Sequence, residues 1–243
     1  MSGLVINPYS FAAPEAPPGG ANGTQFNGTT QYLIHSDPTG WADSKLATGS
    51  LWVKRDGASG RDTIFSINGG TVFRLDFLAT TNKFFMGTTG SPLSATSGTA
   101  ISDTTTWHHI LFSFDLSDTG KRHLYIDDVL DSTTWTTYTD ATLDFEVLAS
   151  ANYMVGARSG GDYFQGDLSE FWFNPGTYID FSVEANRRKF RTAGGLPAGL
   201  GSDGSLPTGA SPEVYLADGR TQTGTTSAFT PTNGPTAVDG PNP

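Results

Sequence analysis

The sequence predicts an all-β fold: an antiparallel β-sandwich with one short helix and extended N- and C-terminal segments. Several short stretches alternate apolar and polar residues with the two-residue period of half-buried strands. The 30 glycines and 14 prolines favour many short strands and tight turns over helices. The clearest alternation, over residues 107–130, has the form of a hairpin whose apolar face requires a second sheet to cover it.

In this central hairpin, the first arm places Ile110 and Phe112 on the apolar face. His109 falls on the opposite face, which is predicted to be exposed, and the adjacent His108 falls at the edge of the core. Because neighbouring strand residues point to opposite faces, the two histidines cannot bind one metal ion together. Residues 117–121 supply the turn into the second arm.

The other strands are predicted from shorter stretches of the same kind. Asn68, Gly69 and Gly70 are typical of a tight hairpin turn. Residues 91–104 are predicted to be a polar crossover, and residues 131–141 a threonine-rich loop. The remaining predicted strands lie within residues 26–37, 50–55, 63–68, 71–78, 83–86, 143–148 and 152–157.

The closing strand does not alternate strictly. Its apolar residues Leu168, Phe171 and Phe173 are unevenly spaced, so we expect a β-bulge near Ser169 and Glu170.

A helix is predicted over residues 182–191, with Ser182 as its N-cap and Glu184 in its first turn. The basic residues at its end, from Arg187 to Arg191, suit the negative pole of the helix dipole. We therefore predict a structural role for this basic cluster rather than a binding role.

The composition divides the chain into three parts. Residues 1–23 are predicted to form an extended arm without a core of its own, residues 24–194 the sandwich, and residues 195–243 a Gly-, Pro-, Ser- and Thr-rich extension with one strand at 213–216. The apolar side chains of the arm are expected to dock on this subunit or on another: Leu4, Val5, Ile6, Tyr9 and Phe11.

Charge and composition exclude several partners and chemistries. The formal charge of −10, with no basic run longer than three residues, argues against nucleic acid or an anionic membrane as the main partner. No apolar run is long enough to span a bilayer. The absence of cysteine removes disulfides, thiol catalysis and cysteine-based metal sites.

Two stretches carry a family resemblance: WHHILFSFDLSDTGKRHLYIDDVL at 107–130 and MVGARSGGDYFQGDLSEFWFNPGTYIDFSVEANRRKF at 154–190. They resemble the central hairpin and the closing strand of laminin-G-like, concanavalin A-like jelly-roll domains, and the resemblance spans roughly residues 24–192. It implies a jelly-roll sandwich. It implies little about function, because that sandwich hosts lectins, glycosidases and inert spacers alike.

A second resemblance concerns the two ends of the chain. The pattern Leu-Gly-x-Asp-Gly-Ser-x-Pro-Thr-Gly-x-x-Pro-x-x-Tyr-Leu at 200–216 is similar to the segment that follows laminin-G-like modules in structural proteins of tailed-phage virions. Leu-Val-Ile-Asn-Pro-Tyr at 4–9 fits the same group. The resemblance implies a location in the virion and capsid or tail proteins as partners.

Catalysis is not expected. The β-glucanases of this fold place three carboxylates at alternate positions of one strand, and a retaining pair must lie about 5–5.5 Å apart. Here Asp144 and Glu146 fit two of those positions, but Thr142 stands where the first Glu should be. We expect Asp144 and Glu146 to be solvated on an outer face.

No cofactor is expected either, with a structural calcium ion as the alternative. Many related domains supply an aspartate from the closing strand, but the matching position here is Ser169, beside Glu170. The other acidic candidates match no known ligand spacing: Asp127, Asp128 and Asp131, or Asp37 and Asp43.

Glycan binding would require flat aromatic side chains beside polar groups. Trp52, Trp107 and Trp172 are predicted to lie in strands and to belong to the core. The aromatic residues in loop-like, polar contexts are the candidates for contact with a glycan or a protein partner: Trp41, Trp135, Tyr138 and Tyr163.

Together these features predict a non-enzymatic structural protein of a tailed-phage virion. Arms without a core would gain order on neighbouring subunits, and we favour head decoration or a head fibre over a tail role. A homo-oligomer such as a trimer would suit this mounting. The alternative is a carbohydrate-binding receptor module, tail-associated or a bacterial lectin, that binds a host glycan. Removal of the first twenty and the last fifty or so residues is expected to leave a monomer that no longer joins its assembly.

Overall fold

The computed structural model describes residues 22–36, 41–57, 60–88, 92–146, 152–159 and 161–241. The arm residues Leu4, Val5, Ile6, Tyr9 and Phe11 lie outside the described residues, as does Asp37. The strands are β1 (Asn22–Asn27), β2 (Tyr32–Ser36), β3 (Leu46–Arg55), β4 (Asp62–Ile67), β5 (Phe73–Phe77), β6 (Lys83–Gly87), β7 (Leu93–Ala100), β8 (His108–Asp115), β9 (Arg122–Ile126), β10 (Val129–Leu130), β11 (Thr134–Tyr138), β12 (Asn152–Val155), β13 (Gln165–Pro175), β14 (Val214–Leu216), β15 (Thr230–Thr232) and β16 (Thr236–Asp239).

These strands form two antiparallel sheets packed as a sandwich, which confirms the predicted fold class. Sheet A has the order β10-β9-β8-β3-β13-β1-β16, with β14 also paired to β13. Sheet B has the order β11-β7-β6-β5-β4-β12-β2-β15. The predicted central hairpin is β8–β9, in which Ile110 lies opposite Ile126 and Phe112 opposite Leu124.

The main core lies between the two sheets and is rich in phenylalanine. The rings of Phe73 from sheet B and Phe173 from sheet A stack with centroids 5.6 Å apart, and Phe112 lies 6.4 Å from Phe173. All three side chains are fully buried. Burial of each such side chain contributes about 1.5–3 kcal/mol, so this contact layer holds the two sheets together.

Part of the outer face of sheet A is also covered, which the alternation does not predict. A second core forms there where the chain crosses the sheet after β13, and its Phe190 ring packs against Trp172 at 5.3 Å. Strand β8 is consequently buried on both faces. The prediction that His109 is exposed is wrong: it is 1% exposed, and its ring stacks on Trp52 at 4.8 Å.

Two segments predicted as loops form strands. In β7 the inward residues Leu93, Ala95 and Ser97 alternate with more exposed ones, but Ala and Ser are too small to give an apolar signal. Strand β11 pairs with β7 and bulges between Trp135 and Thr137.

The predicted first strand, over residues 26–37, is in fact two strands in different sheets. Between them Gly28 takes a φ of 71°, and Asn27 Oδ1 accepts hydrogen bonds from the backbone N–H groups of Thr29 and Thr30. This turn moves the chain from sheet A to sheet B.

The remaining predicted strands are present in the structure, with one exception. The predicted strand at 143–148 is not formed over 143–146, where Leu143 makes only an isolated bridge with Ser44. Residues 68–70 form a turn as predicted, of the 3₁₀ type, with positive φ at Asn68 and Gly70. The remaining predicted strands are confirmed as β3, β4, β5, β6, β12 and β14.

Strand β13 changes partner along one of its edges. Up to Leu168 it pairs with β1, and from Phe171 onward it pairs with β14. Between them the register with β3 shifts after Ser169, and Glu170 has a φ of 48°. The predicted bulge is therefore confirmed, and its Glu170 N–H donates to the carbonyl of Ala217 at 3.0 Å.

The predicted helix is shorter than expected. Helix α1 spans Glu184–Arg187, and the N-cap residue is Val183, without a side-chain capping bond. The prediction of Ser182 as N-cap is wrong, because its hydroxyl donates to Asp180 Oδ1 instead. No helix among the residues that the structure describes has the length and apolarity needed to cross a membrane.

The basic cluster after α1 has the structural role that was predicted. Arg187 Nε lies 2.6 Å from Asp128 Oδ1, and Arg188 Nη2 lies 2.7 Å from Asp128 Oδ2. The Arg191 guanidinium lies 5.0 Å from the centroid of the Trp52 ring. The two ion pairs with Asp128 tie the cover of sheet A to its β9–β10 turn, and the Arg191 contact ties the cover to β3. None of these contacts depends on the dipole of the four-residue helix.

The C-terminal segment, residues 195–241, packs on the sandwich of its own chain. Strand β14 was predicted, whereas β15 adds to sheet B and β16 to sheet A without having been expected. Val214, Leu216 and Phe229 belong to the main core. The prediction that this segment buries its apolar side chains on neighbouring subunits is therefore wrong for these residues.

Candidate functional site

The predicted contact residue Trp41 is a core residue. It is 1% exposed, and its ring lies 4.8 Å from that of Tyr153. Its Nε1–H donates to Thr226 Oγ1 at 2.5 Å. Trp41 lies outside the strands, as predicted, but the prediction that it is available to a glycan or protein partner is wrong, because a threonine from the C-terminal segment, 185 residues later in the chain, covers it.

Two other predicted contact residues, Trp135 and Tyr138, lie together at the edge of sheet B. Their rings are 5.6 Å apart, and the Arg122 guanidinium lies 5.5 Å from the first ring and 5.3 Å from the second. The Tyr138 hydroxyl donates to the Asp115 carbonyl at 2.8 Å. Both half-buried rings are thus engaged within the chain.

The fourth candidate, Tyr163, forms a separate pair. Its half-buried ring lies 6.2 Å from that of Tyr32. The structure therefore brings Trp135 and Tyr138 together, and it pairs Tyr163 with a different partner.

A different group of side chains lines an open groove on the outer face of sheet A. Strand register places Gln25 of β1 opposite Asp167 of β13, and Asp167 opposite Lys54 of β3. Each of the three has core-facing neighbours in its own strand, so their side chains share the outer face. We call Gln25, Asp167 and Lys54 the polar row.

Asp167 is the buried centre of the polar row. Its Oδ2 lies 2.7 Å from Lys54 Nζ, and the aspartate side chain is 4% exposed against 28% for the lysine. Asp167 Oδ1 has less than 1 Å² of exposed surface and no hydrogen-bond partner. An unpaired buried acceptor costs about 1–3 kcal/mol, so a donor that reached this oxygen would be favoured.

Trp107 lies next to the groove, beyond its lining residues and beside Lys54. It precedes β8 rather than lying in a strand, and it is half-buried, so the prediction of a core strand position is wrong for this tryptophan. Lys54 Nζ lies 5.5 Å from the centroid of its ring. A Cβ atom on Gly23 would lie 3.1 Å from Trp107 Cη2, so the indole packs on the bare backbone of β1.

The groove has a volume of about 630 Å³. Besides the polar row, strand β16 forms one wall, and its exposed Asp239 lies opposite Asn22. The lining residues are Asn22, Gln25, Lys54, Asp167, Ala237, Val238 and Asp239.

Two members of the polar row have a signal in the sequence, although neither was among the predicted contact residues. Lys54 and Asp167 are charged positions within strand stretches, so alternation alone places them on an outer face. Their neighbourhood depends on strand register, which joins residues 113 positions apart and cannot be obtained from alternation.

The carboxylates considered for glycosidase chemistry lie outside this groove. Asp144 and Glu146 are exposed, as predicted. The backbone N–H of Glu146 donates to Asp43 Oδ1 at 3.1 Å. Partial burial, together with the Asp43 and Glu146 carboxylates, raises the pKa of Asp144.

The acids considered for calcium are already bonded to protein donors. Asp131 accepts the backbone N–H groups of Gly98 and Thr99, at 2.7 and 2.9 Å, while Asp127 bonds to His108 at 2.6 Å. Among the described residues, no three or more His, Asp or Glu side chains are grouped so that they could hold a metal ion. A structural calcium ion stays an untested alternative.

At the position where related domains carry an aspartate, Ser169 Oγ donates to the Asn22 carbonyl at 2.6 Å. Its neighbour Glu170 accepts a 2.7 Å bond from the Tyr215 hydroxyl. Burial raises the pKa of Glu170 to about 7, against the opposing effect of that bond. These two residues fasten β1 and the C-terminal segment to β13.

Comparison with known families and structures supports the fold. A laminin-G-like model of the Concanavalin A-like lectin/glucanases superfamily matches residues 27–177. No curated protein sequence matches the chain. A "putative carbohydrate binding protein" from Bacteroides ovatus is similar over 92% of this chain and 61% of its own, with a TM-score of 0.65 and 17% identity.

Two further structures are similar at lower scores. The heptameric SAP-like pentraxin from Limulus polyphemus matches 66% of this chain and 78% of its own, with a TM-score of 0.48 and 14% identity. The LG4-5 domains of the mouse laminin α1 chain match 74% of this chain and 49% of that one, with a TM-score of 0.41 and 15% identity.

Proposed function

Because the chain belongs to the Concanavalin A-like lectin/glucanases superfamily, we propose that it is a non-enzymatic binding protein whose sheet A groove holds a carbohydrate. The observation that carries the proposal is the polar row beside Trp107, on a part of the outer face that is open to a ligand. Superfamily membership alone would not carry it, since the same sandwich serves unrelated functions.

The chemistry of the groove suits a sugar. A sugar presents hydroxyl groups, which both donate and accept hydrogen bonds, around ring faces that are largely apolar. The Gln25 amide can donate and accept, the Asp167 carboxylate accepts, and the Lys54 ammonium donates. The half-buried ring of Trp107 lies beside Lys54, where a sugar that extends past the lining residues could contact it. Small-molecule sites combine these features in volumes of about 300–1,000 Å³, and this groove has about 630 Å³.

The acids of the groove favour binding over bond cleavage. A retaining glycosidase requires a free carboxylate nucleophile about 5–5.5 Å from a protonated acid. Asp167 is instead ion-paired with Lys54 at 2.7 Å, and Asp144 and Glu146 do not line the groove.

The test is binding of the intact protein to an array of bacterial and plant polysaccharides, followed by calorimetry on any positive. Trp107→Ala is expected to weaken binding about tenfold or more, as loss of a central aromatic contact does. Trp135→Ala, which removes an aromatic side chain outside the groove lining, is the matched control and is expected to bind normally.

Two results would refute this proposal. A blank array for the intact, folded protein removes the carbohydrate role. Normal binding by Trp107→Ala, with loss of binding in Trp135→Ala, moves the site to the edge of sheet B.

A second candidate function is that of a structural protein of a tailed-phage virion. Its support is the pattern at 200–216, which is similar to segments of such proteins. In this chain the pattern serves the fold itself: Leu200 lies in the second core, and the Gly204 carbonyl accepts the Trp172 Nε1–H at 2.8 Å. Residues 1–23 would then attach the protein to the particle, on the head rather than the tail. Its partners would be other virion proteins and copies of this chain, for example in a trimer.

This second proposal is tested on purified particles. Quantitative mass spectrometry is expected to find the protein in stoichiometric amounts. Deletion of residues 1–20 is expected to release it from the particle with its thermal midpoint unchanged. Full retention of the shortened protein would contradict mounting by the arm.

A further inference from the structure

The charges around the groove are unbalanced. Two carboxylates, Asp167 and Asp239, face one ammonium group, that of Lys54, while Asn22 and Gln25 contribute neutral amides. The chain as a whole carries a formal charge of −10. The local excess of negative charge acts within about 8–10 Å at moderate ionic strength, which is the range of a bound ligand.

The lysine of the groove is already neutralised. Its Nζ lies 2.7 Å from the buried Asp167 carboxylate and 5.5 Å from the centroid of the Trp107 ring. An anion bound at Lys54 would share the ammonium with the buried Asp167 carboxylate and would lie close to that like charge, so the new ion pair would gain little. The lysine ammonium, which would ordinarily recognise an acidic sugar, is therefore already paired with Asp167.

The group that lacks a partner in the groove is an acceptor. Asp167 Oδ1 is buried and makes no hydrogen bond, and a carboxylate oxygen can be satisfied only by a donor. A sugar hydroxyl is such a donor, and it reaches this oxygen when a side chain of the polar row moves, since less than 1 Å² of the oxygen is exposed. A sugar carboxylate, sulfate or phosphate group is an acceptor and would face this oxygen with like charge.

From these observations we propose that the groove selects neutral saccharides and rejects those with carboxylate, sulfate or phosphate groups. The inference rests on the proposed carbohydrate function and adds the class of sugar. Asp167 is the residue that decides the selection, because it both supplies the unpaired acceptor and holds Lys54.

The experiment compares saccharides that share linkage and length and differ in carrying a charged group. A panel of neutral hexose oligomers is measured by calorimetry against uronate and sulfated oligomers of the same linkage, for example β-1,4-linked mannohexaose against hexamannuronate. The intact protein is expected to bind the neutral member about tenfold or more tightly. Equal or tighter binding of the acidic member overturns the inference while leaving the carbohydrate function in place, whereas a blank panel overturns both.

The isosteric variant Asp167→Asn sharpens the test. It removes one negative charge and releases Lys54, so the preference for the neutral member is expected to shrink or reverse. Asp140→Asn makes the same change of net charge at an exposed residue paired with Lys45, outside the groove, and is expected to keep the preference. An unchanged preference in Asp167→Asn contradicts the role given to this residue.

A salt titration of the intact protein provides a measurement that does not depend on the folding of a variant. Raising NaCl from about 20 mM to about 500 mM shortens the screening length. The dissociation constant of the acidic oligomer, divided by that of the neutral oligomer, is expected to fall, because the acidic oligomer binds better when its repulsion is screened. A ratio independent of salt would exclude charge as the basis of selection.

Discussion

The part of the chain matched by the family, residues 27–177, and the C-terminal segment, residues 195–241, are held in the same sandwich by different means. The first buries alternating side chains of regular strands, such as the eight-residue β8. The second has strands of only three or four residues. It nevertheless supplies fully buried residues, Val214 and Leu216, to the same core.

Side-chain hydrogen bonds supplement the short strand pairings of the C-terminal segment. Gln222 Oε1 accepts the Tyr215 N–H at 3.0 Å, and its Nε2 donates to the carbonyls of Glu213 and Thr226. Asp218 Oδ1 accepts the N–H of Arg220 at 3.0 Å. A segment without hydrophobic periodicity can therefore be an integral part of a domain, provided that its polar side chains satisfy its own backbone.

Deletion of residues 195–243 is expected to have the largest effect on the stability of the sandwich. It removes β14, β15 and β16 and opens both cores, since Leu200 and Tyr215 belong to the second core. We expect no cooperative thermal transition and loss of near-ultraviolet circular dichroism. A shortened protein with a normal thermal midpoint would mean that the segment is an appendage, as its composition first indicated.

A pair of glycine substitutions tests where the segment is fastened to the sandwich. Gly219 has a φ of 78°, and a Cβ there would lie 2.1 Å from the Leu168 carbonyl oxygen. Gly209 has a similar φ of 84° but no atom within 4 Å. The backbone strain costs about 1–2 kcal/mol in both alanine variants, and the overlap adds about 1–3 kcal/mol at Gly219 alone.

Denaturant unfolding of the two glycine variants measures this difference. We expect Gly219→Ala to lose about 1–3 kcal/mol more free energy of unfolding than Gly209→Ala. Equal losses would show that the approach of Gly219 to β13 does not hold the segment in place.

The smallest expected effect is a pH dependence at the contact between the two regions. The folded state raises the pKa of Glu170 from 4.5 to about 7, chiefly by burial. The folded state thus favours the protonated carboxyl. The stability that goes with this protonation is fully present below about pH 4.5 and is lost as the pH rises through 7. Glu170→Gln removes the charge and leaves an oxygen that can accept the Tyr215 hydroxyl.

The pH dependence is measured by urea unfolding at pH 5 and pH 8, on Glu170→Gln and on the unchanged protein. We expect the variant to be more stable by about 1–2 kcal/mol at pH 8, after allowance for partial exposure, and about equal at pH 5. Glu184→Gln, on the exposed surface of α1, is the control and should show no such difference. A stability gain that is the same at both pH values would exclude titration of Glu170 as its cause.

The sequence by itself determined the sandwich, the central hairpin and the bulge at Ser169 and Glu170. Each of these follows from the spacing of apolar residues within one continuous stretch, and spacing fixes the face on which a side chain lies. Strands whose inward residues are small, as in β7 with Ala95 and Ser97, gave no such signal and could not be predicted.

Only the tertiary structure decided what covers each face. His109 is buried against Trp52 of the neighbouring strand β3, and Trp41 is covered by Thr226 of the C-terminal segment. The groove exists because register places Gln25, Asp167 and Lys54 side by side. The physical reason is that alternation acts between neighbours in the chain, whereas cover and register arise from contacts between distant segments. Such contacts form only when the whole sandwich has closed.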